Sequence, residues 1–304
     1  MAFYLNESAA RKVFKDLLGN ANHLLITILV GLHAVESGLI KEAPKELRAA
    51  WNPKDKIASS RRSRILTLQM ALVRSTDALD AYIAYARRKP FLIRDGKLQA
   101  EIDVAGHKVL LKFFALKLHC LAGEGEEAIL AALVEVMIVW RNRLVHSLAD
   151  NTISSQTEQL IHTNSEWIKD QFNGMSVDRM LADFDSERPP TFKETASFIR
   201  ATHQVVESLD RFLLSHLDAE SYLKELIWSS AGANDSERAK QIQNVWGRDE
   251  CDRPTRVFSF LQNRGLATSR REDSSAEFPD ELLNAVAAMT PKELKAFVRG
   301  DSSV

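Results

Sequence analysis

The stretch Trp140-Arg141-Asn142-Arg143-Leu144-Val145-His146 places two guanidiniums, an amide and an imidazole within two helical turns. Those groups suit phosphoryl transfer that uses no metal. A histidine exchanges protons near neutrality, so His146 can move a proton at an attacking 2'-hydroxyl or at the leaving oxygen. An arginine stays charged and presents a fork of donors matched to phosphate oxygens, so Arg141 can hold the charge that builds on phosphorus. Asn142 can hold a phosphate oxygen or fix the imidazole. Arg143 offers a further cation for the RNA backbone; as a plain surface charge it has no such role.

Spacing decides which of these groups meet. On an uninterrupted helix Asn142 and His146 stand at i and i+4 and share a face. Arg141 and His146 are five apart, about 140° around the axis. Two copies facing each other across a two-fold axis would bring both onto one phosphate. The arginine–histidine spacing alone is cheap. With 23 arginines and 8 histidines in 304 residues, chance supplies about 0.6 such pairs. A second pair exists, Arg211 and His216, inside an amphipathic helical pattern, and it reads as structural. What sets Arg141 apart is the asparagine beside it and the apolar run Ile129–Trp140 before it. Burying charge at the end of such a run without partners costs several kcal/mol. The bland alternative is that Arg141 and Arg143 favour a helix C-terminus electrostatically and that His146 packs in the core.

Arg141-Asn142-Arg143-Leu144-Val145-His146 resembles the Arg-Asn-x-x-x-His signature of the HEPN superfamily, all-helical domains of which many are ribonucleases. The resemblance covers the motif and its helical setting, residues 1–230, and no particular HEPN family. It implies a homodimer with a composite site, and products with 2',3'-cyclic phosphate and 5'-hydroxyl ends. By the same resemblance the setting would be a toxin–antitoxin pair or defence against phage. The substrate would be transfer or messenger RNA, and an inhibitory or triggering protein partner would hold the activity in check.

The rest of the chain must position that motif. Forty basic against forty-one acidic residues leave a net charge of -1, so overall charge does not point to nucleic acid. The clusters Arg61, Arg62, Arg64 and Arg87, Arg88, Lys89 read as solvated helix ends. Cys120 and Cys251 lack Cys-x-x-Cys spacing, which argues against a disulfide framework or a cysteine zinc site. No cofactor or metal is expected. The N-terminus lacks the order of a signal peptide. The apolar run Leu24–Leu32 is nine residues, short of the roughly 20 a membrane span needs. The expectation is a cytoplasmic protein with no membrane partner.

Apolar spacing predicts helices over 8–37, with Ser8 as cap, and over 60–88, 107–121, 126–149, 155–172, 192–216 and 219–229. Asp77 and Asp80 on the second of these are acids that can orient Arg141 or His146 from a neighbouring helix, or simply face water. Residues 91–104, with an Asp95-Gly96 turn and alternating Leu98, Ala100 and Ile102, suggest a small hairpin. Residues 231–236 read as a linker. Beyond them lie short helices near 237–246, 254–264, 279–288 and 291–299, the last opened by a capping box at Thr290 and Glu293. The expected architecture is all-α: a HEPN-like bundle over 1–231 and a small helical domain over 232–304 for sensing or partner binding. Trp228, Trp246, Phe258 and Phe260 read as packing rather than base-stacking residues.

Two other functions fit the sequence. One is a non-catalytic helical adaptor or RNA-binding module on the same scaffold. The other is a DNA-binding regulator with a helix-turn-helix in 237–265. Asp249, Glu250 and Asp252 dilute the basic face that reading requires.

Overall fold

The computed structural model describes residues 2–43, 45–48, 50–121, 123–145, 152–271 and 275–299. The protein is all-α, 71% helical with one small sheet. In chain order come β1 (Phe3–Leu5), α1 (Ala9–Leu18), α2 (Ala21–Glu36), α3 (Lys56–Ala86), α4 (Gly96–Ala105), α5 (Val109–Cys120) and α6 (Glu126–Val145). Next are α7 (Ser155–Thr163), α8 (Ser165–Gln171), α9 (Val177–Asp185), α10 (Phe192–Ser215) and α11 (Ala219–Ser230). The remainder is α12 (Asp235–Trp246), α13 (Arg253–Gln262), β2 (Leu266–Ala267), β3 (Ala276–Phe278), α14 (Asp280–Ala288) and α15 (Pro291–Arg299).

The chain forms two compact units, each assembled from separated segments. The first contains Met1–Lys12, Ile83–Val104 and Glu207–Val304. The second contains Val13–Tyr82 and Ala105–Val206. Residues 232–304, expected as a domain of their own, share the first unit with the N-terminal strand. There β1 is the central strand, antiparallel to both β2 and β3. The expected linker at 231–236 is a tight capped turn. Asn234 Oδ1 accepts from the Glu237 amide at 2.9 Å, and Glu237 returns an acceptor to the Ala233 amide at 2.9 Å. Ser8 caps α1 as expected, accepting from the Arg11 amide at 3.0 Å. Its own N–H and hydroxyl donate to Asp210, a fully buried carboxylate. The capping box at Thr290 and Glu293 also forms.

Three sequence expectations fail for local reasons. Residues 91–104 hold no hairpin. Asp95 caps a helix instead, accepting from the amides of Lys97 at 2.7 Å and Leu98 at 3.0 Å. Leu98, Ile102 and Ala105 then fall on one buried stripe at helical spacing. Segment 8–37 is two helices, divided at Gly19-Asn20, and segment 155–172 is divided at Asn164. Helix α9 was not anticipated, although Ser176 caps it and Val177, Met180, Leu181 and Phe184 are all buried. The segment Ala9–Glu36 is long and apolar enough by length and composition to cross a membrane, more than its nine-residue run suggests. Little of it is buried, and core helices and leader sequences share that composition.

The core of the second unit is α6. Every side chain from Ala128 to Trp140 is buried, which fits its apolar character all round. The one charge in that run, Glu135, is satisfied by Lys117 Nζ at 3.0 Å and by the Thr157 hydroxyl.

Candidate functional site

Helix α6 carries the motif at its C-terminal end. Trp140 is the last fully buried residue. Its indole N–H donates to the Arg188 carbonyl at 3.2 Å, and its ring meets Phe184 and Phe198 edge-on at 5.7 and 6.1 Å. That packing fixes the register of the next turn, where Arg141, Asn142 and Arg143 are half-buried.

Arg141 lies over its neighbours rather than pointing into bulk water. Its side chain is 18% exposed. One terminal nitrogen donates to Asn142 Oδ1 at 3.1 Å, and the other stands 3.8 Å from Asp77 on α3. Its Nε is buried and has no hydrogen-bond partner among the described residues. Asp77 is more than half exposed, so the pair contributes less than about 1 kcal/mol to stability. Of the two acids that could orient the motif or simply face water, Asp77 stands beside Arg141 while remaining more than half exposed, and Asp80 accepts from Lys112 at 2.7 Å.

Arg143 is held differently. Its guanidinium lies over the Phe184 ring, 3.9 Å from the centroid, and Nη1 donates to the Phe184 carbonyl at 3.1 Å. Helix α9 supplies both contacts, which explains why the sequence did not reveal this partner. His146 lies outside the described residues, so the arrangement on view contains the arginines and the asparagine alone.

Other groups weighed from the sequence fall into structural roles. Arg61 and Arg64 pair with Glu36 at 3.4 and 3.0 Å. Arg87 pairs with Asp103, and Arg88 lies over Tyr85 at 4.4 Å. Trp246 is fully buried, donates to the Val286 carbonyl at 3.0 Å and packs on Phe260. Arg253 and Arg264, in the stretch 237–265 weighed as a helix-turn-helix, donate to the carbonyls of Ala288 and Ser230 at 2.8 and 3.2 Å. The His216 ring lies on Phe212 with centroids 4.2 Å apart, and its Nδ1 is 3.0 Å from the Ser215 hydroxyl and 2.9 Å from the Phe212 carbonyl. Both cysteines are free; burial pushes the Cys120 thiol up to about 12, so it stays protonated, and Cys251 is exposed. Among the described residues no cluster of three or more His, Cys, Asp or Glu has the geometry to hold a metal.

Comparison of this chain with family models, with characterised proteins and with solved structures finds no match.

Proposed function

We propose that the protein is a metal-independent endoribonuclease of HEPN type, cleaving RNA by attack of a 2'-hydroxyl on the adjacent phosphate. One observation carries the reading: the buried run Ala128–Trp140 of α6 gives way to a half-buried Arg141 hydrogen-bonded to Asn142, with the arginine Nε unpartnered among the described residues. A guanidinium held that way is preorganised for an anion, which is how positive charge stabilises a developing phosphorane. In this reading Arg141 neutralises that charge, Asn142 orients it, and His146 moves the proton. Arg143, anchored on Phe184, contacts the RNA backbone. The active form is a homodimer in the cytoplasm, acting on transfer or messenger RNA in a toxin–antitoxin or anti-phage setting and restrained by a protein partner.

A second reading has a specific observation behind it. Asn142, Asp77 and Phe184 give the two arginines partners within the chain, so the helix end is also consistent with a non-catalytic adaptor.

One experiment separates the two. The purified protein is incubated with total cellular RNA in EDTA beside an Arg141→Ala/His146→Ala variant. The ribonuclease reading expects discrete fragments with cyclic-phosphate ends from the wild type alone. It also expects the wild type to express poorly and His146→Ala to express freely. Intact RNA in both lanes together with equal expression would favour the adaptor.

A further inference from the structure

Residues 17–35, which include all of α2 but its last residue, contain no Asp, Glu, Lys or Arg. A helix that apolar is ordinarily covered on several sides, as α6 is. In α2 only Leu25 and Leu29 are buried. At about 100° per residue, Leu24 and Ile28 stand on one flank of that pair and Ile26 and Val30 on the other. All four are exposed, Leu24 to 59% and Val30 to 64%. On the outer edge between the flanks, the Thr27 hydroxyl donates to the His23 carbonyl at 3.0 Å. Its donor therefore stays satisfied when the helix leaves water.

Helix α3 lies alongside and holds α2 near both ends. The Ser60 hydroxyl donates to the Leu32 carbonyl at 2.8 Å, and Arg74 Nε donates to the Leu17 carbonyl at 2.9 Å. Leu66 and Met70 of α3 are exposed as well, and with Leu24 and Ile28 they line an open groove of about 490 Å³. Ten of the sixteen exposed large apolar side chains among the described residues fall between Leu24 and Met70. Scattered apolar residues are ordinary on a surface, but a concentration of this kind marks a contact face.

Charge is concentrated in the same place. Residues 13–76 carry ten Lys and Arg against five Asp and Glu, in a chain with forty against forty-one. Of those acids, Glu36 is paired with both Arg61 and Arg64, and Arg61 is still 72% exposed. Lys41, Lys45, Arg48, Lys54 and Arg62 are exposed beyond the C-terminal end of α2, with Glu42, Glu46 and Asp55 among them. Lys15 and Arg74 stand at the other end, with Asp16. The apolar ridge thus lies between two stretches of net positive charge. A single docked helix would cover one flank of α2, whereas a fluid interface covers both.

We propose that the α2 ridge docks on an anionic lipid surface. Leu24, Ile26, Ile28 and Val30 enter the boundary between headgroups and acyl chains, and the flanking lysines and arginines meet the negative headgroups. The helix lies on the bilayer and does not cross it. Its 16 residues fall short of the roughly 20 that a span needs, and Leu25 and Leu29 stay in the protein core. The proposal replaces the expectation of no membrane partner. It uses none of the α6 motif and does not rest on the ribonuclease reading.

The full chain is sedimented with sucrose-loaded vesicles of phosphatidylcholine alone or with about 30% phosphatidylserine, at about 0.1 and about 0.5 M salt. Binding to the anionic vesicles is expected to be about tenfold or more tighter than to the neutral ones, and to fall at the higher salt. Ile26→Gln/Ile28→Gln/Val30→Gln is expected to weaken it about tenfold or more while circular dichroism and melting temperature stay unchanged. Lys45→Gln/Lys54→Gln/Arg62→Gln should abolish the preference for phosphatidylserine. The mass in solution without lipid, read by light scattering, is expected to be the same for the wild type and the apolar variant. No binding to the anionic vesicles at low salt, or binding that survives the apolar variant, overturns the proposal. So does an apolar variant that becomes monomeric where the wild type is dimeric, since a second copy would then cover this face.

Discussion

Asp210 is a carboxylate sealed from water, with the N–H and hydroxyl of Ser8 as its hydrogen-bond donors. Burial raises its pKa above the ordinary 3.8, against the opposing pull of Ser8 and Arg11. The folded chain thus holds this proton more tightly than the unfolded chain. The stability linked to it is complete below pH 3.8 and is lost as pH rises through the folded pKa. Asp210→Asn keeps the shape and removes the titration. Its melting temperature relative to wild type should therefore rise between about pH 4 and about pH 7 in thermal scans at both values. A constant difference would place the proton elsewhere. At this scale much of the candidate site is legible in the sequence, because residue type alone marks Arg141 and Asn142. Their partners are not. Asp77 and Asp80 sit three apart on one helix, and only packing decides that the first meets Arg141 and the second Lys112.

Elements are where backbone geometry decides. Gly232 joins α11 to α12 at φ +152°, a region L side chains rarely adopt, and a Cβ there would stand 2.6 Å from Glu237 Cβ. Gly31 sits within α2, where an added Cβ meets nothing within 4 Å. Gly232→Ala is expected to cost about 1–3 kcal/mol, and Gly31→Ala to stabilise by about 0.5–1 kcal/mol, both read by urea unfolding. Equal effects would contradict the geometry. Long periodic segments such as 60–88 and 192–216 announce themselves, since a three-turn stripe leaves little choice of conformation. Residues 91–104 misled because Asp-Gly serves equally as a hairpin turn and as a helix start. Only the amides of Lys97 and Leu98 bonded to Asp95 tell the two apart. Helix α9 carries its signals over nine residues, too few for a period to stand out. With it went the contact that holds Arg143.

For the molecule as a whole, the decisive feature is a strand of three residues. Phe3 and Leu5 are buried to 1% and 2% exposure, and β1 pairs on one side with Leu266–Ala267 and on the other with Ala276–Phe278. No sequence pattern of three residues could show this, because the partners are more than 260 positions away. The Asn6 side chain repeats the link, donating to the Ser269 carbonyl at 3.0 Å across 263 residues. Deleting residues from 266 onward is expected to expose Phe3 and Leu5. The N-terminal residues would become a rapid protease site, and the melting temperature would fall by several degrees or more. Limited proteolysis with mass analysis would check this; an N-terminus still protected in the shortened chain would contradict it.

The same strand sets a clock on biosynthesis. A ribosome adds about 5–20 residues per second, so β1 leaves the exit tunnel many seconds before either of its neighbours has been translated. Through that interval β1 has neither of its strand partners, and the sheet can close only once Ala276–Phe278 has been made. The burial of Phe3 and Leu5 is therefore among the last contacts that synthesis of this stretch of chain allows.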